Sequence, residues 1–217
     1  MRLSPRRRTA LPTLEPAPAV GADRVAELLR RYDPDARRRR RGIALKNDVR
    51  VACTGGTLTI TGQAYRLARG LHHHLGGSWL IAPPAPGEHD EHIEDMLRVY
   101  VPRRLLPAEP ALLLQPLLPG VTIREDPGLG LFWFNDEASE LTISAGPVAD
   151  RAALPAAVGE LRAAADLYEC GIDDVHGPTK ATAEEGWRIA QVFAVLGGVP
   201  VDRYGFRVTA AADLLPR

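Results

Sequence analysis

Between Gly120 and Tyr168 the apolar and polar positions fall into patterns that assign elements directly. Val121 and Ile123 alternate with Thr122 and Arg124, the period of two expected of a half-buried strand. Asp126-Pro127-Gly128-Leu129-Gly130 then supplies the restricted and positive φ values of a reversal. Leu131 to Phe134 is apolar on both faces and reads as a central strand. After the Asn135-Asp136 turn, Leu141 and Ile143 alternate with Thr142 and Ser144, which completes a meander with one core face. Leu154, Val158, Leu161, Ala165 and Tyr168 recur at helical spacing, so the pattern predicts a covering helix that begins near Leu154, with Pro155 in its first turn.

The rest of the chain repeats this alphabet. Val25, Leu28, Leu29 and Tyr32 predict a helix from Asp23 to Tyr32, closed by Asp33-Pro34. Val49 to Cys53 and Thr57 to Thr61 flank Gly55-Gly56 as a hairpin. A helix from Gln63 to Leu75 ends at Gly76-Gly77, before a short strand from Trp79 to Ala82. Met96 to Val101 alternates as a strand, and Ala111 to Leu118 is a short helix interrupted at Pro116. Ile172 to Val175 is one more strand. Thr182 and Glu185 form a capping box for a helix from Ala183 to Leu196, which ends at Gly197-Gly198 before Val199 to Val201.

Two segments therefore share the order helix, glycine pair, strand. Tyr65-Arg66-Leu67-Ala68-Arg69 also matches Trp187-Arg188-Ile189-Ala190-Gln191 in character, each about eleven residues before its glycine pair once one gap is allowed. Two readings fit: an internal duplication, or a shared solution to helix capping. The expected fold class is α+β, with antiparallel sheet meanders, helices packed on one face, and two related lobes if the duplication holds. Residues 1–22 lack periodicity and read as a flexible tail. Residues 23–86 form the N-terminal lobe, 92–208 the C-terminal lobe and 209–217 a frayed end, with the boundary between Pro83 and Glu91.

Composition changes this picture little. The chain of 217 residues has no net charge, but residues 1–50 carry 14 basic against 6 acidic side chains. Lys46 and Lys180 are its two lysines, and with abundant Ala, Pro and Gly this indicates a GC-rich bacterial source. Cys53 and Cys170 match no zinc spacing and read as reduced thiols, which places the protein in the cytoplasm. No run has the length of a membrane span or of a signal peptide's apolar segment.

Candidate chemistry is sparse. His72, His73 and His74 are consecutive on a helix, point about 100° apart, and read as surface residues. His89 and His92, in an acidic stretch with Glu91 and Asp95, read first as a solvated acidic loop, although with His176 as a third imidazole they have the ligand types of a metal site. Cys170, Asp173, Asp174 and His176 contain the residue types of a thiol nucleophile and its base, although core packing explains the cysteine as well. The run Arg37, Arg38, Arg39, Arg40 and Arg41 reads as a solvated linker, or as a weak and non-specific phosphate contact. Gly128-Leu129-Gly130 lies in a hairpin turn, and no Gly-Lys-Ser/Thr or Gly-x-Ser-x-Gly motif occurs, so no cofactor is expected apart from a divalent metal.

These features favour a non-enzymatic cytosolic binding protein with a protein partner and an aromatic contact surface drawn from Trp79, Tyr100 and Tyr204. The alternatives are a metal-dependent hydrolase using His89, His92 and His176, with Asp95 or Glu91 in support, and a weak nucleic-acid binder acting through the arginine run.

Overall fold

In the structure, a computed structural model that describes residues 10–40, 42–62, 64–83, 95–174 and 176–217, the alternating runs pair into two six-stranded antiparallel sheets. The first lobe contains β1 (Thr13–Glu15), α1 (Ala22–Tyr32), β2 (Arg37–Arg39), β3 (Gly42–Ala44), β4 (Arg50–Thr54), β5 (Thr57–Thr61), α2 (Tyr65–Leu75) and β6 (Ser78–Ile81). The second contains β7 (Leu97–Val101), α3 (Ala108–Leu114), β8 (Thr122–Asp126), β9 (Leu131–Asn135), β10 (Leu141–Pro147), β11 (Tyr168–Asp174), α4 (Lys180–Val195) and β12 (Val199–Asp202). The strand orders are β2-β3-β4-β5-β1-β6 and β8-β9-β10-β11-β7-β12. The two lobes thus share one α+β topology: strand, helix, four meandering strands, helix, and a last strand that returns beside the first. The helix, glycine pair and strand repeat of the sequence falls at equivalent places, α2 to β6 and α4 to β12.

Burial follows the two periods. In the first lobe Leu58 and Ile60 of β5 and Val51 of β4 meet Val25, Leu28 and Leu29 of α1 and Leu67, Ala68 and Leu71 of α2. In the second, Leu97, Val99 and Val101 of β7 and Cys170 and Ile172 of β11 meet Ala183, Ile189, Ala190 and Phe193 of α4. The matched pairs Leu67-Ala68 and Ile189-Ala190 are all fully buried, so their resemblance lies in the core-facing positions of two equivalent helices. The other face of the second sheet carries a smaller cluster, in which Tyr100 and Val201 meet Leu154, Ala157, Val158 and Leu167.

Several expectations need correction. The predicted helix from Leu154 to Tyr168 is two 3-10 segments, Arg151–Ala153 and Ala156–Ala163, and Tyr168 already belongs to β11. Val158 has φ −121° and ψ 22°, which breaks the helical run. Arginine side chains take over the carbonyls that helical bonds would have used. Arg151 donates to the carbonyls of Arg162, Ala164 and Ala165, and Arg162 donates to that of Leu154. Part of the supposed tail is β1, where Leu14 is fully buried between β5 and β6. The supposed frayed end holds a 3-10 turn, Ala211–Leu214, with Leu214 buried. The cap of α4 is Thr179 with Thr182, one turn earlier than the sequence suggested, because both threonines bond across the helix start. Arg37 to Arg39 form the edge strand β2 rather than a linker. The expected boundary segment lies mostly outside the described residues.

The first core also takes a residue from far along the chain, since Phe206 packs with Leu71 and its neighbours. Gly70 makes room for it: a Cβ there would lie 2.3 Å from Phe206 Cε2 and 2.9 Å from Tyr204 Cβ. Gly→Ala within a helix ordinarily stabilises by about 1 kcal/mol. Here Phe206 is fully buried and both it and Tyr204 would have to shift, so overpacking reverses the sign and Gly70→Ala destabilises by about 1–3 kcal/mol. Urea denaturation of the variant measures the sign directly.

Candidate functional site

Two of the buried polar side chains, His74 and Asp202, meet at the junction of the two lobes. β12 ends at Asp202, and the chain reverses through Arg203, Tyr204 and Gly205, with Gly205 at φ 88° and its N–H donating to the Asp202 carbonyl at 2.9 Å. The Asp202 side chain organises this turn. Its Oδ1 accepts the N–H groups of Tyr204 and Phe206, each at 2.9 Å, and its Oδ2 accepts His74 Nε2 at 2.7 Å. Asp202 is 3% exposed and His74 6%, so the bond that joins α2 to the turn is shielded from water. Such a carboxylate is stabilised only because every lone pair facing the protein has a donor.

His73, the next residue of α2, bonds through Nε2 to the Asp213 carbonyl at 3.0 Å, and its own carbonyl accepts Arg217 N–H at 3.0 Å. A carbonyl oxygen only accepts, so Nε2 carries the proton and Nδ1 the lone pair in the neutral ring. Burial, and then the neighbouring His74, hold the His73 pKa below its usual value. Asp213 in turn receives Arg31 of α1 at 2.8 and 3.0 Å and caps its own turn by accepting Thr209 and Ala210 N–H. Burial pushes the Asp213 carboxyl upward, but the Thr209 amide and the Arg31 guanidinium outweigh it and leave the pKa low. Rings fill the rest of the junction, with Tyr32 4.9 Å and His74 4.8 Å from Phe206, and His73 5.2 Å from Tyr204.

Two cavities flank the turn. One, of about 360 Å³, has His73, Met96, His176, Asp202 and Leu214 among its lining residues. The other, of about 180 Å³, is walled by residues of both lobes, including Tyr32 and Arg66 from the first and Arg98 and Tyr100 from the second.

The residues singled out in the sequence are distributed unevenly around this junction. His176 is exposed, its backbone N–H donating to Asp174 Oδ1, and it lines the larger cavity; His89, His92 and Glu91 lie outside the described residues. Asp95 is held by Arg98 at 2.7 Å. The surface reading of the histidine triplet fails at His74, which is buried against Phe206. Among the described residues, His73, His74 and Asp202 are the one group of possible metal ligands with ligand atoms within 4.8 Å of one another. A cation there would have to break the His74–Asp202 bond.

Cys170 is fully buried and burial pushes its thiol pKa well up, which makes it a core residue rather than a nucleophile. Of the aromatic trio, Tyr100 is buried, Tyr204 is half-buried at the junction, and Trp79 is half-buried beside His72, their rings 5.5 Å apart. Arg37, Arg38, Arg39 and Arg40 are exposed, and Arg41 lies outside the described residues. Alternation along β2 sends Arg38 to the opposite face from Arg37 and Arg39, and Arg38 is paired with Asp23, so the run is split between two faces. Asp202 was missed. Its signal is local: an Asp three residues before a Gly, after an apolar strand, is the pattern of a side chain that caps its own turn.

No protein-family model, curated protein or solved structure matches the chain. No described helix is long and apolar enough to cross a membrane.

Two measurements probe the junction. His74→Ala leaves Asp202 Oδ2 buried without its donor and costs about 3 kcal/mol, Asp202→Ala costs more because two backbone donors are also orphaned, and the double variant shows coupling above about 1 kcal/mol in a denaturant-based cycle. Because the folded pKa of His73 lies below its reference of 6.5, its contribution to stability is complete above that pH and is lost as pH falls through it toward the folded value. The denaturant midpoint therefore drops between about pH 7.5 and about pH 5.5, and His73→Gln removes that part of the slope. The depressed Asp213 carboxyl adds a separate loss below its reference of 3.8.

Proposed function

We propose that the chain is a non-enzymatic binding protein that holds a protein partner on the outer surface of α3 and β8. The observation that carries this reading is a difference between two equivalent positions. α1 and α3 occupy the same place in the shared topology, as do the edge strands β2 and β8. In the first lobe this place is solvated by charge: Arg24, Glu27 and Arg30 face outward from α1, and β2 is three exposed arginines. In the second lobe it is apolar. Leu112 is 70% exposed and Leu106 60%, and Leu113, Leu117 and Ile123 of β8 are exposed to a lesser degree. The fold is satisfied with charge at this place, so the leucines are not required for folding. Exposed apolar groups gathered on one side of a protein mark an interaction surface.

The edge strand indicates the mode of contact. β8 pairs only with β9 among the described residues, so its outer N–H and C=O groups can receive an extended segment of the partner, with apolar side chains laid on Leu112 and Leu117. In support of a binding rather than catalytic role, His74 and Asp202, and Arg31 and Asp213, are bonded to each other at the junction, and the buried thiol is not reactive.

A photo-reactive residue placed at position 123 should crosslink a defined partner from extracts of the native host, whereas one at position 38, on the equivalent edge of the first lobe, should not. Replacing Leu106 and Leu112 together by Asp should lower capture at least about tenfold and leave the unfolding free energy within about 0.5 kcal/mol, since the two side chains are 60% and 70% exposed. Equal crosslinking from both edges, or capture indifferent to the two aspartates, would overturn the reading.

A further inference from the structure

The surface on α3 and β8 is complementary to a second copy of itself, and the other sheet edges show how particular this is. Two open sheets have four edges. β2 is Arg37-Arg38-Arg39, so any two-fold pairing of two such strands sets arginine against arginine. β12 is closed by the chain that follows it, where Val201 bridges Arg207 and the Val208 N–H donates to the Pro200 carbonyl at 3.0 Å. β6 and β8 are left, each paired on one side among the described residues. β8 is the longer, and α3 touches it.

Pairing with β9 fixes the two faces of β8. Ile123 stands opposite Phe134 and Glu125 opposite Phe132. Both phenylalanines are buried with Leu114 and Leu118, so Ile123 and Glu125 lie on the face that α3 covers, and Thr122, Arg124 and Asp126 lie on the other. When two copies of an edge strand join antiparallel into one continuous sheet, the two-fold axis stands at right angles to the sheet and each residue keeps its face, so one residue meets its own counterpart on the axis. An axis at Arg124, Glu125 or Asp126 sets like charges directly opposite, which is destabilising. An axis at Thr122 avoids this but pairs only Thr122 within the strand. An axis at Ile123 pairs Thr122, Ile123 and Arg124 of each strand, with isoleucine against isoleucine and Thr122 against Arg124 of the second copy. Arg124 is drawn away from this axis, its guanidinium 5.8 Å from the Trp133 ring on β9. Because faces are kept, the exposed Leu106, Leu112, Leu113 and Leu117 in and around α3 are carried to the same side of the joint in both copies.

We propose that the partner of the α3 and β8 surface is a second copy of this chain, joined by antiparallel pairing of the two β8 strands about a two-fold axis at Ile123, so that two six-stranded sheets become one. This rests on the reading of that surface as a partner site and names what fills it. The exposed isoleucine is then covered by its own counterpart, and the open edge of the second sheet is closed.

The test is sedimentation of the purified full chain from about 1 to about 100 μM, over which the mass should rise from that of one chain toward two. Ile123→Arg sets arginine against arginine on the axis and should weaken association about tenfold or more, whereas Ile123→Val should leave it within about twofold. Leu106→Asp with Leu112→Asp should weaken it as well, and serves in place of Ile123→Arg if that variant's denaturation curve shows an altered fold. Thr122→Asp faces Arg124 of the second copy twice in each dimer, so it should strengthen association about fivefold at low salt and lose the gain at high salt. With the axis at Thr122 the same change would oppose two aspartates and weaken the dimer. A chain that stays monomeric over this range, a dimer indifferent to Ile123→Arg, a dimer weakened by Thr122→Asp, or one crosslinked by a photo-reactive residue at position 80 of β6 and not at 123 would overturn the proposal. Monomeric purified protein that still crosslinks a different chain in host extracts through position 123 would overturn the second copy alone and leave the surface reading standing.

Discussion

Asp202 is the group on which the rest of the junction depends. It ends the last strand of the second sheet, folds the following turn by accepting two of its N–H groups, and in the same act accepts the imidazole of His74 from the first lobe. The turn so formed delivers Phe206 into the first core and Tyr204 against His73. A single buried carboxylate therefore sets local backbone geometry and the docking of two lobes together. The energetic logic is strict: for a buried carboxylate, each acceptor left without a donor carries its desolvation cost.

Around this node the two lobes solve the same packing problem with different residues. Each places helices on one face of a six-stranded meander, and each closes its second helix with a glycine pair that lets the chain return as a strand beside the first. Gly77, at φ 102°, shows why the pair is needed in the first lobe, since a Cβ there would fall 2.0 Å from the Glu15 carbonyl oxygen of the strand segment it passes. The lobes diverge in what they add. The second sheet is covered on its other face by the irregular segment 151–163, pinned by its own arginines, whereas that face of the first sheet carries the half-buried threonines Thr57, Thr59 and Thr61 of β5.

Most of the elements were legible in the sequence because burial on one face of a sheet or helix leaves a period that a single chain displays. The hairpin across Gly55-Gly56, the helices at 22–32 and 65–75, and the meander from 122 to 147 all carry that period. Three kinds of feature were not legible. β1 is too short to show alternation, and its burial comes from neighbours at β5 and β6. The apolar spacing of 154–165 imitates a helix, and only the arginine to carbonyl bonds, which are tertiary facts, reveal otherwise. The junction was hidden because its residues lie 128 positions apart at His74 and Asp202, and a triplet of histidines on a helix does not announce which member turns inward. The equivalence of the two lobes was visible only as a faint match over five residues, since a topology constrains which positions are buried far more than which side chains fill them.

The placement of Phe206 has a consequence for how the chain is made. Its ring belongs to the core of the first lobe, yet it is synthesised after every strand of both sheets. During translation the first lobe emerges from the ribosome early but must wait, with a gap beneath Gly70, until residue 206 has been released. N-terminal domains ordinarily complete their folding first as synthesis proceeds. Here the order is inverted at the last step: the early lobe is finished by the late one, so a truncated product that ends before residue 206 leaves an open core, a form that cellular proteases can distinguish from the complete protein.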